Sequence, residues 1–156
     1  MGFLRDLDRS QEAVQLAMSR LIDRDFICHE LEGKEEQKFG DIRVITEDVD
    51  INIEVKFDAM AEKTGNLCFE MSNGKRLTGI LETKADEVWY VVPNGGQRTI
   101  YKFDINTLKT YILNPENITV KNGGDKWKFS LALVSIDKII NDKIAYEVIE
   151  NAELSV

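Results

Sequence analysis

The segment Ile51-Asn52-Ile53-Glu54-Val55-Lys56-Phe57 constrains this chain more than any other. Its β-branched and aromatic residues read as a buried strand. Residues two apart in a strand share a face, so Glu54 and Lys56 project together while Ile53, Val55 and Phe57 turn the other way. A second strand-like stretch, Gly40-Asp41-Ile42-Arg43-Val44-Ile45, precedes it, and Thr46-Glu47-Asp48-Val49-Asp50 between them suits a hairpin. Two carboxylates and a lysine converging on one spot are costly in a core. The same set is suited to holding a hard divalent cation and activating water.

With 156 residues, 43% of them apolar and 31% charged, the chain is expected to form one soluble globular domain over residues 1–156. No apolar run reaches membrane-spanning length, and Met1-Gly2-Phe3-Leu4-Arg5-Asp6 lacks the apolar stretch of a secretion signal, so a cytoplasmic location is expected. Cys28 and Cys68 lie in apolar settings without zinc-ligand spacing and read as free core thiols. The net charge of −8 opposes nucleic-acid binding, which favours a basic surface. Local patches and bound cations soften that conflict without removing it, so transient binding or a protein partner is expected.

Along the chain, Ser10 to about Arg24 reads as an amphipathic helix, with Val14, Ala17, Met18, Leu21 and Ile22 at helical spacing and Ser10 as its N-cap. Phe26-Ile27-Cys28 reads as a short strand and His29 to Phe39 as a charged loop. Strands are expected at 40–46, 51–58, 66–71, 87–92 and 99–103, with a short helix over Leu81 to Ala85. Ile105 to Leu113 reads as a helix stopped by Asn114-Pro115, Asn122 to Asp125 as a turn, Trp127 to Leu133 as a strand and Ser135 to Ile140 as a short helix or turn. Residues 141–156 are acidic and read as a loosely docked tail. The fold class is α/β, a mixed central β-sheet flanked by helices.

Asp41 followed by Glu54-Val55-Lys56 resembles the PD-(D/E)XK nuclease superfamily, with Gly40 where its motif has proline. The resemblance implies a restriction-endonuclease-like core: a helix, a three-strand meander, a helix and a strand, with C-terminal additions. It implies Mg²⁺ or Mn²⁺ held by Asp41, Glu54 and the main-chain carbonyl of Val55, with Lys56 stabilising charge on the phosphate. In the Holliday-junction-resolvase-like branch a glutamate on the first helix completes the site, and Glu12 stands at that place. Thr64-Gly65-Asn66-Leu67-Cys68-Phe69-Glu70 and Gly79-Ile80-Leu81-Glu82-Thr83-Lys84-Ala85-Asp86 also look like phage and bacterial members. They imply that Asn66, Glu70 and Lys84 lie near the active-site edge. The function so implied is a metal-dependent endonuclease cutting branched or duplex DNA as a homodimer.

Nucleic-acid contacts are expected from Lys75 and Arg76, in a glycine-containing loop, and from Lys84. Two other readings stand beside this one. A non-catalytic module of the same fold, binding protein or nucleic acid, is favoured by the acidic balance. A small α/β protein whose carboxylates are only surface charges requires Glu12, Asp41 and Glu54 to lie far apart.

Overall fold

The computed structural model describes residues 2–123 and 129–153, with residues 2–8 as backbone only. Among the described residues, nine strands form two sheets, one of six strands and one of three. The chain begins with helix α1 (Gly2–Asp23), then β1 (Cys28–Glu30), helix α2 (Gly33–Phe39), β2 (Ile42–Ile45) and β3 (Asp50–Phe57). A short helix α3 (Ala61–Thr64) leads to β4 (Asn66–Ser72), a 3₁₀ turn (Gly79–Leu81), β5 (Glu87–Asn94) and β6 (Gln97–Asp104). Helix α4 (Ile105–Ile112), a second 3₁₀ turn (Pro115–Asn117), β7 (Thr119–Gly123), β8 (Phe129–Ser135), helix α5 (Ile136–Asn141) and β9 (Glu147–Ala152) complete it.

The large sheet is mixed. Strands β1, β2 and β3 form an antiparallel meander, β5 runs parallel to β3, and β6 and β9 follow antiparallel. Both faces of β5 are covered, which explains its unbroken apolar run. Val88, Tyr90 and Val92 face one core, with Leu67 and Phe69 of β4, Ala132 and Val134 of β8, and Leu108 and Ile112 of α4. Trp89 and Val91 face the other core, beneath Ala13, Val14, Leu16, Ala17 and Leu21 of α1. Of the expected stripe, Val14, Ala17 and Leu21 are buried and Met18 packs beside them, while Ile22 stays exposed. The helix begins at Gly2, so Ser10 lies within it and does not cap it.

Local chemistry sets several boundaries. Asp104 caps α4 by accepting from Thr107 N at 3.0 Å, and Ser135 caps α5 by accepting from Lys138 N. The β5–β6 hairpin turns on Gly95, whose φ of 63° a side chain would resist.

Five further expectations need correction. The strand at 66–71 leaves the meander and pairs with β8 in the second sheet, and Cys28–Glu30 takes the outer place in the meander. The crossover from β3 to β5 therefore runs through that sheet, and no helix forms over Leu81 to Ala85; only Gly79–Leu81 turn, as a 3₁₀ element. Gly79 holds φ +54° against Glu70, so close that a Cβ would come within 2.4 Å of the Glu70 carbonyl oxygen. His29 and Glu30 belong to β1 and Gly33–Phe39 is helical, where a loop was expected. In the acidic stretch 141–156, Glu147–Ala152 forms a sheet strand against β6. Thr119–Gly123, for which no strand was expected, pairs with β8. Trp127, Gly124 and Asp125, assigned above to a strand and a turn, lie outside the described residues, as do 154–156.

Candidate functional site

Asp41 precedes β2 at a sharp bend. Gly40 takes φ +105°, and a Cβ there would lie 2.8 Å from the Ile53 carbonyl oxygen and 3.0 Å from Glu54 Cα. Glycine is thus required where the resembled motif has proline. The bend lets Asp41 N donate to Ile53 O at 2.9 Å, and Asp41 Oδ2 accept from Val55 N at 2.7 Å. The carboxylate thereby replaces β2 as the partner of β3 beyond the Ile42–Ile53 pair. Peptide groups of alternate strand residues point to the same edge. The Val55 carbonyl therefore points to the edge that β2 has left.

Glu54 and Lys56 project from the face of β3 shared with Val88 and Tyr90, their register partners on β5. Lys56 Nζ lies 4.0 Å from Glu54 Oε1, and the two side chains are 45% and 19% exposed. Glu54 Oε2 is sealed from solvent and has no hydrogen-bond donor. An unmet buried polar group costs about 1–3 kcal/mol, and more when charged. Asp41 is strained electrostatically as well. Burial pushes its carboxyl up to about 6, the Val55 N–H bond opposes this, and the negative charges of Glu54 and Glu36 push further. These groups line an open cleft of about 540 Å³ with Gln37 of α2, Ser10 of α1 and Phe57. Two carboxylates, one with an orphaned oxygen, and a main-chain carbonyl make a donor set suited to a hard divalent cation.

Glu12 does not join them. It lies on α1, whose buried residues pack on the face of Ile53 and Val55; Ser10 of the same helix borders the cleft, but Glu12 does not line it. Its carboxylate takes an ion pair from Arg98 NH2 at 3.2 Å. Among the described residues no three His, Cys, Asp or Glu side chains gather closely enough to hold a metal ion. The expectation of three converging acids is corrected to a pair.

The remaining candidates separate. Lys84 lines a second cleft, of about 390 Å³, with Glu54 and Gln37. Lys75 and Arg76 lie in an exposed turn held by Asn73 Oδ1, which accepts from both backbone N–H groups at 3.0 Å, and they line neither cleft. Asn66 lines a different pocket with Glu116 and Lys138. Glu70 abuts Gly79, which lines the Lys84 cleft. Asp58, just past β3, accepts from the Tyr90 hydroxyl at 2.6 Å and from Met60 N at 2.9 Å, so its oxygens are engaged. Burial, with Asp58 beside it, raises the Tyr90 hydroxyl far above the usual tyrosine value.

Sequence reasoning missed Lys34 and Lys38, which share the second cleft with Lys84. Their spacing was the available signal, because residues four apart share a helix face. The charged run His29 to Phe39 reads as a loop in sequence, which hides that spacing.

Among solved structures the chain is similar to a bacterial homing endonuclease, I-Ssp6803I. The TM-score is 0.50 at 18% identity, over 65% of this chain and 70% of that one. At that identity the likeness is one of fold, a mixed sheet flanked by helices. No protein-family model matches the chain, and no curated protein matches it. Among the described residues no helix is long and apolar enough to cross a membrane.

Proposed function

We propose that the chain is a divalent-metal-dependent nuclease of PD-(D/E)XK type that hydrolyses DNA phosphodiesters at the Asp41–Glu54–Lys56 cleft. The observation that carries this reading is Glu54 Oε2, sealed from water without a donor and beside a second desolvated carboxylate. Such an arrangement is stabilised when a cation completes it. The likeness in fold to a homing endonuclease supports the same class of reaction.

Asp41 and Glu54 would hold Mg²⁺ or Mn²⁺, with the Val55 carbonyl as a third donor. When bound, such an ion supplies a water of lowered pKa and positive charge facing the phosphate. The Val55 N–H fixes Asp41 Oδ2 at 2.7 Å, leaving Oδ1 for the cation. Lys56, half exposed beside Glu54, presents its ammonium to the negative charge that builds on the phosphate during in-line attack. Glu12 stays with Arg98 and has no part in this set. A homodimer follows the sequence resemblance, since cutting two strands calls for two sites; the resolvase-like preference for branched DNA loses the support it drew from Glu12, which pairs with Arg98 instead.

The net charge of −8 favours a second reading, a non-catalytic module of the same fold. Cleavage of branched, single-stranded and linear duplex DNA in Mg²⁺ and in Mn²⁺ separates the two. The nuclease reading expects cutting that falls at least about 100-fold in Lys56→Ala. It also expects calorimetric Mn²⁺ binding that Asp41→Ala abolishes. A wild-type chain that binds Mn²⁺ yet cuts none of these DNAs would sink the nuclease reading in favour of the module.

A further inference from the structure

The cleft on the far side of Glu54 is walled by three lysines. Lys34 and Lys38 come from α2 and Lys84 from the segment after the Gly79–Leu81 turn. Lys84 N donates to Lys38 O at 2.9 Å, which joins the two walls. Thr83, buried behind them, fixes the segment by accepting from Ala85 N at 3.2 Å. Glu54 and Gln37 line both this cleft and the one holding Asp41 and Lys56, so the two meet at Glu54 and form one trough, with Asp41 and Lys56 on one side and the lysines on the other.

Among the described residues, ion pairs take up Arg24, Arg43, Lys56, Arg98 and Lys102 and leave other surface lysines, Lys75 and Lys121 among them, without one. Among the described residues none of the three lysines has a carboxylate within ion-pair distance; Lys38 Nζ lies instead over the Phe39 ring at 5.2 Å. Lys34 and Lys38 also stand four apart on one helix, where like charges repel. In a chain of net charge −8, three lysines thus face one cleft beside the acid pair, with Glu54 and Glu82 the carboxylates that share it.

The geometry points to a phosphate track: Lys34, Lys38 and Lys84 hold backbone phosphates of a DNA strand on one side of the phosphodiester that meets Asp41, Glu54 and Lys56. This rests on the nuclease reading for its centre but concerns different residues. Spread along a trough, three ammonium groups suit a repeating polyanion better than a single anion. Glu82, which lines the same cleft, opposes it.

Fluorescence anisotropy of a labelled duplex DNA in EDTA, over a series of KCl concentrations, tests the track without metal. All three lysines are exposed, so alanine leaves the fold intact. Lys34→Ala, Lys38→Ala and Lys84→Ala should each lower the slope of log K against log[KCl] by about 0.9. Lys121→Ala, on the second sheet, should not. Glu82→Gln should tighten binding, an effect that damage to the fold cannot mimic. Equal slopes for wild type and the three variants would overturn the track, as would the same loss in Lys121→Ala or no wild-type binding at all. Calorimetric Mn²⁺ titration of the same variants keeps the two proposals apart. Metal binding with unchanged salt slopes removes the track alone, whereas reduced slopes without metal binding keep the track and remove the metal centre.

Discussion

Lys102 on β6 is 3% exposed, and its ammonium lies 2.7 Å from Glu147 Oε1 and 4.0 Å from the centre of the Trp89 ring. Arg24 completes the group, 2.6 Å from Glu147 Oε2. Glu54 stands on the same sheet with an oxygen just as hidden and no donor for it. Both places hold charge in a poorly hydrated setting. At the first, each charge has a partner, and the group ties β9 and the end of α1 to β6. At the second, negative charge is left over. Desolvated charges that are matched hold elements together, and desolvated charges left unmatched mark where a ligand of opposite sign fits.

Removing a partner at the first place should have the largest effect. Glu147→Ala leaves Lys102 buried without its carboxylate and should lower unfolding free energy by about 3 kcal/mol in urea titration. A change within experimental error would break the contrast.

At the acid pair, saturating Mn²⁺ should raise stability by about 2.7 kcal/mol at a hundred times its dissociation constant. Asp41→Asn should lose that response. In EDTA at pH 8 the same variant should be more stable than wild type by about 2 kcal/mol, because the amide removes a desolvated charge while an oxygen still accepts from Val55 N.

The two places should answer pH in opposite directions. The Asp41 carboxyl, raised to about 6 when folded, destabilises above that pH, and the penalty is relieved as pH falls through 6 towards its unfolded value of 3.8. Glu147 is held below its ordinary value by Arg24 first and Lys102 second. Its contribution is present above about 4.5 and is lost as pH falls below. Asp41→Asn should therefore flatten the stability curve between pH 7 and 4, and Glu147→Gln should flatten it only below that range.

The smallest effect belongs to Arg43, whose pair with Asp50 is solvent-exposed on both sides. Arg43→Ala should leave the unfolding midpoint where it was.

Much of this was legible in the sequence. The apolar runs of β2, β3, β5 and β6 and the helical spacing in α1 and α4 follow directly from periodicity, as does the projection of Glu54 with Lys56. Periodicity identifies a strand without naming its neighbour, which is why Asn66–Ser72 was assigned to the wrong sheet. Elements α2 and β9 stayed hidden because their sequences are charged. Gly33–Phe39 buries no residue, and β9 buries only Ile149 and Ala152. Glu12 was misplaced for a geometric reason. Position on a helix says nothing about which neighbour its side chain will meet: Ser10 reaches the acid cleft, and Glu12 turns to Arg98 instead.

The hydrogen bond from Lys84 N to Lys38 O links stretches far apart in the chain across the floor of the trough. With its two sides joined in this way, widening the trough costs a main-chain hydrogen bond. Stiff duplex resists bending, while strands freed at a nick, fork or crossing yield readily. On the nuclease reading proposed above, such a trough would favour pliable strands over stiff duplex.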